Sequence, residues 1–267
     1  MTAILGIDAA WTERGSSGVA LIKLDRERWH CVGLAPSYDA FIALACGRPV
    51  DWSQCATGSS PDLPKLLQAA ATLANEEIAL VTIDMPVATT PVTRRREADQ
   101  EVSRKFGARG CSTHSPCAVR PGPFGAALSR QFAELGYPIA TTATPVRTVP
   151  SLVEVYPHPA LLTLIDRDRR VPYKVAKAAK YWKGKTVLER IGLLLAEFAC
   201  IERGIRCRID NVMLTLPATQ DVASLSMLKS YEDALDALVC CWVGSAFLAG
   251  DAKALGDETA AIWCPNR

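Results

Sequence analysis

The chain has 267 residues, 49% of them hydrophobic and 22% charged, with 30 basic residues against 28 acidic ones. That is enough apolar material for a substantial core and excludes a disordered chain. Its ten cysteines include no Cys-x-x-Cys pair, which argues for reduced thiols in a cytoplasmic protein and against a disulfide framework. The near-neutral average hides segregation: residues 94–130 carry eight basic and three acidic residues, 166–190 nine and three, and 210–258 two and eight. Two basic segments and an acidic end suit an anionic substrate met at a cation-binding site, although solvated helix faces look the same.

The opening stretch, residues 3–11, is an apolar run that ends in Asp8. A carboxylate there is retained only where it is paired, hydrogen-bonded or holds a cation. The segment over 12–17 is polar and rich in turn residues, and strands are predicted over 18–24 and 28–34, together an antiparallel meander. Helices follow over 38–46 and 64–77, separated by a loop. A second apolar run over 78–84 ends in Asp84; the helix before it marks a parallel crossover. Residues 87–123 read as an excursion with an arginine-rich helix (94–106) and a Gly/Ser/Pro loop, followed by a helix over 125–135. A strand over 151–156 is stopped by Pro157 and Pro159. Helical text runs over 161–208, and a helix apolar almost all round covers 233–249. The early Asp8 leaves no room for a signal-peptide core, and the apolar run 237–250, bounded by Asp236 and Asp251, is too short to span a bilayer, so no membrane partner is expected.

This order is that of an α/β, ribonuclease H-like fold: a mixed five-stranded sheet with the first strand central and the fourth beside it, flanking helices and a helical/loop insertion. A single domain over 1–267, with insertions at about 87–123 and 161–215, is expected. In such a sheet Asp8 and Asp84 lie at neighbouring strand ends, and the last helix presents Asp233 and Asp236, three apart on one face, beside them.

Several motifs in order along the chain resemble one family. They are Gly6-Ile-Asp8-Ala-Ala-Trp11, Ile83-Asp84-Met-Pro86, Arg96-x-x-Asp99 with Arg104 and Phe106-Gly107-x-Arg109-Gly110, Glu154-Val-Tyr-Pro157, and Asp233-Ala-Leu-Asp236-Ala-Leu. The chain is similar over nearly its whole length to the family catalogued as domain of unknown function 429. The resemblance implies a predicted nuclease of ribonuclease H fold, related to Holliday-junction resolvases. Met85 and the loop Cys111-Ser-Thr-His114-Ser-Pro-Cys117 depart from the pattern.

Phosphodiester hydrolysis on such a fold needs hard oxygen ligands for Mg²⁺ or Mn²⁺, two ions about 4 Å apart. Asp8 would bridge both, Asp84 would bind one, and Asp233 or Asp236 the other. Singly, each acid has a plainer use: a turn cap for Asp8, a loop contact for Asp84, a helix N-terminal charge for Asp233. Glu154 is either a further ligand or the partner of Arg104 or Arg96, the ion pair being preferred. Arg96, Arg104, Arg109 and Lys174 are candidate phosphate contacts, and His114 a proton carrier or phosphate contact. Cys111, His114 and Cys117 together suggest zinc, but a fourth ligand is missing. Trp11, Trp29 and Trp182 could stack on bases or simply pack. The expectation is a metal-dependent nuclease acting on DNA or RNA. Its rivals are a nucleic-acid-binding or structural protein of the same fold and an ATP-phosphate binder related to sugar kinases and actin-like ATPases, which build their cleft from two such folds.

Overall fold

The computed structural model describes residues 2–12, 15–53 and 55–266; residues 13 and 14 of the polar segment after the first strand lie outside them. β1 (Thr2–Asp8), β2 (Gly18–Asp25) and β3 (Arg28–Ala35) form the expected antiparallel meander. α1 (Tyr38–Ala45) and α2 (Leu63–Ala74) each open on a side-chain cap. Ser37 accepts from the Ala40 N–H at 3.2 Å, and Asp62 from that of Lys65 at 3.1 Å. Asn75 ends α2 in left-handed backbone, φ 53°, and the chain enters β4 (Ile78–Ile83) parallel to β1.

The excursion contains α3 (Glu97–Phe106) and α4 (Pro123–Glu134). β5 (Ser151–Val155) then joins β4 in parallel. Pro157 both stops this strand and begins α5 (Pro157–Leu164), because a proline at the first helical position loses no hydrogen bond. The helical text beyond is broken into α5, α6 (Ala178–Tyr181) and α7 (Val187–Arg206), with the segment 165–174 between the first two. After β6 (Ile209–Asp210), α8 (Lys229–Ala249) starts one turn earlier than its apolar pattern suggests. The chain closes with a hairpin, β7 (Ala252–Gly256) and β8 (Ala261–Pro265).

The sheet order is β6-β3-β2-β1-β4-β5-β8-β7, so eight strands stand where the sequence pattern suggests five. The additional three are short. β6 has two residues, and the β7–β8 hairpin is built on alanines, which have little strand preference. Asp257 makes its turn, its carboxylate accepting from the Thr259 N–H at 2.8 Å and the Ala260 N–H at 3.1 Å. Helices cover both faces of the sheet. One core lies under α5, α7 and α8, another under α1, α2 and α4, and a smaller one joins α3 to β7 and β8. None of the described helices is long and apolar enough to cross a membrane.

α8 lies on β1 and β2 almost backbone to backbone. A Cβ on Gly6 would stand 2.4 Å from the Ala237 carbonyl oxygen and 2.6 Å from the Cys241 sulfur, and one on Gly18 would stand 2.1 Å from the Asp233 carbonyl oxygen. Only glycine permits this approach. Gly6→Ala is therefore expected to lower stability by about 1–3 kcal/mol, because the obstruction is helix backbone that cannot rotate away. Urea denaturation measures it; an unchanged midpoint would show that the helix yields without cost.

Candidate functional site

β1 and β4 end side by side. The Asp84 N–H donates to the Ile7 carbonyl at 2.9 Å, just beyond the Ile7–Ile83 pair, so Asp8 and Asp84 leave adjacent parallel strands at one level. Ile7 and Ile83 belong to the core under α1 and α2, whereas Gly6 and Thr82 abut α8. Strand alternation thus turns both carboxylates toward α8.

Helical spacing brings Lys229, Glu232, Asp233 and Asp236 to one side of α8. All three acids are buried, and each is neutralised from within. Asp233 takes the Lys229 ammonium and the Ser16 hydroxyl, the latter at 2.6 Å. Asp236 takes the Lys174 ammonium and, at 2.6 Å, the Tyr173 hydroxyl. Glu232 accepts from Lys229 at 2.8 Å and from the Val175 N–H at 2.6 Å, with Lys174 at 3.3 Å. Burial would lift the Glu232 pKa, but Lys174 and Lys229 outweigh it and hold the carboxyl below its ordinary range. Asp236 is pushed up to about 6 by burial, against the pull of Lys174.

Asp8 and Asp84 differ. Among the described residues no hydrogen bond or ion pair reaches either carboxylate. Burial first, and the Asp233 charge second, push Asp8 up to about 7, with Lys174 and Lys229 pulling it down. Burial and the Asp8 charge raise Asp84 well above the carboxylate range. The four aspartates therefore share one electrostatic neighbourhood. Even so, no group of three or more His, Cys, Asp or Glu side chains among the described residues is arranged to hold a metal ion. Lysines already occupy the oxygens that α8 offers.

Asp8 and Asp233 open into a cleft of about 740 Å³, also bordered by Trp11, His114, Arg120 and Lys174. Asp84 borders a smaller cavity of about 40 Å³ beside it, shared with Trp11, His114, Arg96 and Glu154. His114 stands edge-on to Trp11 at 6.4 Å, and burial, then Lys177, Arg170 and Arg120, depress its pKa.

A search of protein families matches residues 6–261 to the family described as "Protein of unknown function (DUF429)". The chain belongs to that family. No curated protein matches it, and no solved structure does.

The remaining predicted site residues of this DUF429 chain lie elsewhere or are already engaged. Val153 and Val155 face the α8 side, so Glu154 points the other way, where Arg96 grips both its oxygens at 2.6 and 2.7 Å. The same guanidinium bonds Asp99 at 3.0 Å and the Val87 carbonyl at 2.7 Å, which leaves Arg96 no free fork for phosphate. Burial, opposed by Arg96, brings Glu154 to about 7. Both residues line the small cavity with Asp84, but their mutual clamp leaves neither free to serve it. Arg104 is exposed and pairs with Glu97 at 2.8 Å. Arg109 spends its guanidinium on the Asp168 and Arg167 carbonyls at 2.8 and 2.6 Å. Cys111 is buried against the His158 carbonyl while Cys117 is exposed at the cleft, so the zinc-like trio does not converge. Trp29 and Trp182 pack against the core. Glu232, Lys229, Tyr173 and Arg120 go unremarked in the sequence reading, although the spacing of Lys229, Glu232, Asp233 and Asp236 spells a single helix face.

Two outcomes follow for this DUF429 chain. Because folding raises the Asp8 pKa from 3.8 to about 7, the folded state holds that proton more tightly. Its contribution to stability is present at low pH and is lost as pH rises through about 7. Asp8→Asn is expected to exceed the parent in stability by about 1–3 kcal/mol at about pH 8, with the gap closing toward about pH 4. Urea titrations at the two pH values decide it; a gap independent of pH would mean that the gain does not come from charge. Arg96→Ala strands two buried carboxylates and is expected to cost about 3–5 kcal/mol, whereas Arg96→Met combined with Glu154→Leu and Asp99→Asn recovers much of that. No recovery in the triple variant would assign the loss to packing.

Proposed function

We propose that this chain hydrolyses phosphodiester bonds of nucleic acid with Mg²⁺ or Mn²⁺ held at Asp8 and Asp84. One observation carries the reading: two carboxylates lie together at the ends of adjacent parallel strands, with raised pKa values and no cation of the protein paired to either. Hard oxygen donors in that state fit a divalent ion, whose charge relieves their mutual repulsion. The strand order β3-β2-β1-β4-β5 within the sheet supports a ribonuclease H-like architecture, extended at both edges.

When bound, the ion activates water and offsets charge on the phosphoryl oxygens. The residues of the chain do the rest. Asp8 and Asp84 would hold the ion at the strand ends, opposite α8. Lys174 and Lys229 offset much of the charge of Asp236, Glu232 and Asp233 and so lessen their repulsion of an anionic substrate. His114, whose pKa is depressed first by burial, stays neutral near pH 7 and is suited to accept a proton from the attacking water. A second reading, nucleic-acid binding without cleavage, draws support from the same lysines, since they satisfy Asp233 and Asp236 with no ion present.

Purified chain with Mn²⁺ or Mg²⁺ is expected to cut at least one of a set of single-stranded, branched and hybrid substrates. Asp8→Asn and Asp84→Asn should each lower the rate by about a hundredfold or more. Metal binding seen calorimetrically with no cleavage across the set would favour the binding-only reading. Unchanged cleavage by Asp8→Asn would remove that residue from the mechanism.

A further inference from the structure

We infer that the cleft seats unpaired nucleotides of a single strand, with one base stacked on Trp11 and the adjoining phosphate on Arg120. The inference rests on the nucleic-acid reading above and specifies its substrate class. Three observations converge on it. The first is position: Trp11 lies three residues beyond Asp8 and borders both the main cleft and the small cavity at Asp84. A ring held there lies close to both unpartnered carboxylates. A base stacked on it brings its own phosphate within their reach.

The second is charge. The Arg120 guanidinium lies 5.8 Å from the Trp11 ring centroid, within cation–π range, and borders the cleft. Arg120, Lys177 and Arg170 all raise the positive potential at His114. Among the described residues none of the three has an acidic partner, in contrast to Lys174 and Lys229. The cleft thus carries an acid wall, an aromatic platform and, in Arg120, a cation with no acidic partner, which is the pattern of a single-strand site: bases on a ring, backbone on a cation.

The third is size. A volume of about 740 Å³ belongs to the class of sites that enclose one small molecule. A nucleotide or two fits within it. The aromatic face is useless to a duplex, whose bases already stack on one another.

The test is binding without divalent metal, so that nothing is cut, followed by fluorescence anisotropy of a labelled oligothymidylate. Competitors are a blunt duplex of the same length and ATP. The single strand is expected to bind more tightly than either, with affinity falling steeply as salt rises. Trp11→Ala should weaken it about tenfold, the loss of one base stack. Trp11→Phe should keep most of the affinity, and Arg120→Gln should weaken it with a shallower salt slope. Melting curves of each variant separate lost binding from lost fold, and Arg120→Gln, on an exposed side chain, keeps the test alive if Trp11→Ala unfolds. A duplex bound as tightly as the strand, or ATP bound as tightly, overturns the inference. So does a Trp11→Ala variant that folds and binds normally. Metal-dependent cleavage that is confined to duplex substrate and unaffected by Trp11→Ala would overturn this seat and leave the hydrolase reading intact. Loss of the hydrolase reading would instead appear as no cleavage of any substrate, with strand binding still measurable.

Discussion

The contact on which the site depends is the near-touching of two backbones. Gly6 and Gly18 carry no side chain, so α8 settles onto β1 and β2 at a distance no larger residue allows. Gly18 pairs with Asp8 across the ladder, and the Asp233 carbonyl sits directly above it. The separation between the strand-borne and helix-borne acids is therefore fixed by main chain, which is stiffer than any packing of side chains. Every electrostatic property of the cleft follows: the carboxylates are crowded, they lose solvent, and the lysines within reach are drawn in.

Two kinds of acid result. Those on α8 are compensated by Lys174 and Lys229 and are built into the fold. Those at the strand ends have no hydrogen bond or ion pair among the described residues, feeling Lys174 only at a distance, and they meet the cleft and its side cavity. A buried ion pair contributes little net stability yet costs dearly when broken, so the α8 acids act as a fixed frame. The strand-end pair is the part left free to respond to a ligand. Glu154 belongs to neither kind. With Arg96 and Asp99 it rivets α3 to β5 beside the small cavity that Asp84 borders.

Much of this was legible in the sequence because the signals are periodic or local. Apolar runs ending in Asp8 and Asp84 announce parallel strand ends, and Asp233 and Asp236 announce a shared helix face. Long-range partnership is not written that way. Nothing adjacent to Lys174 in the chain marks it as the counter-ion of Asp236, sixty-two positions away. Arg96 and Arg104 look alike in sequence, and only the fold makes one a buried clamp and the other a solvated residue. β7 and β8 escaped notice because an alanine-rich hairpin gains its strand character from pairing beside β5.

That terminal hairpin has a consequence for how the molecule comes into being. β1 precedes α8 by most of the described chain, so its glycine-lined surface stays uncovered until α8 is in place, and α8 in turn leads straight into the hairpin that completes the sheet edge. Contacts between elements so distant in sequence form slowly, and the cleft is assembled only when they do.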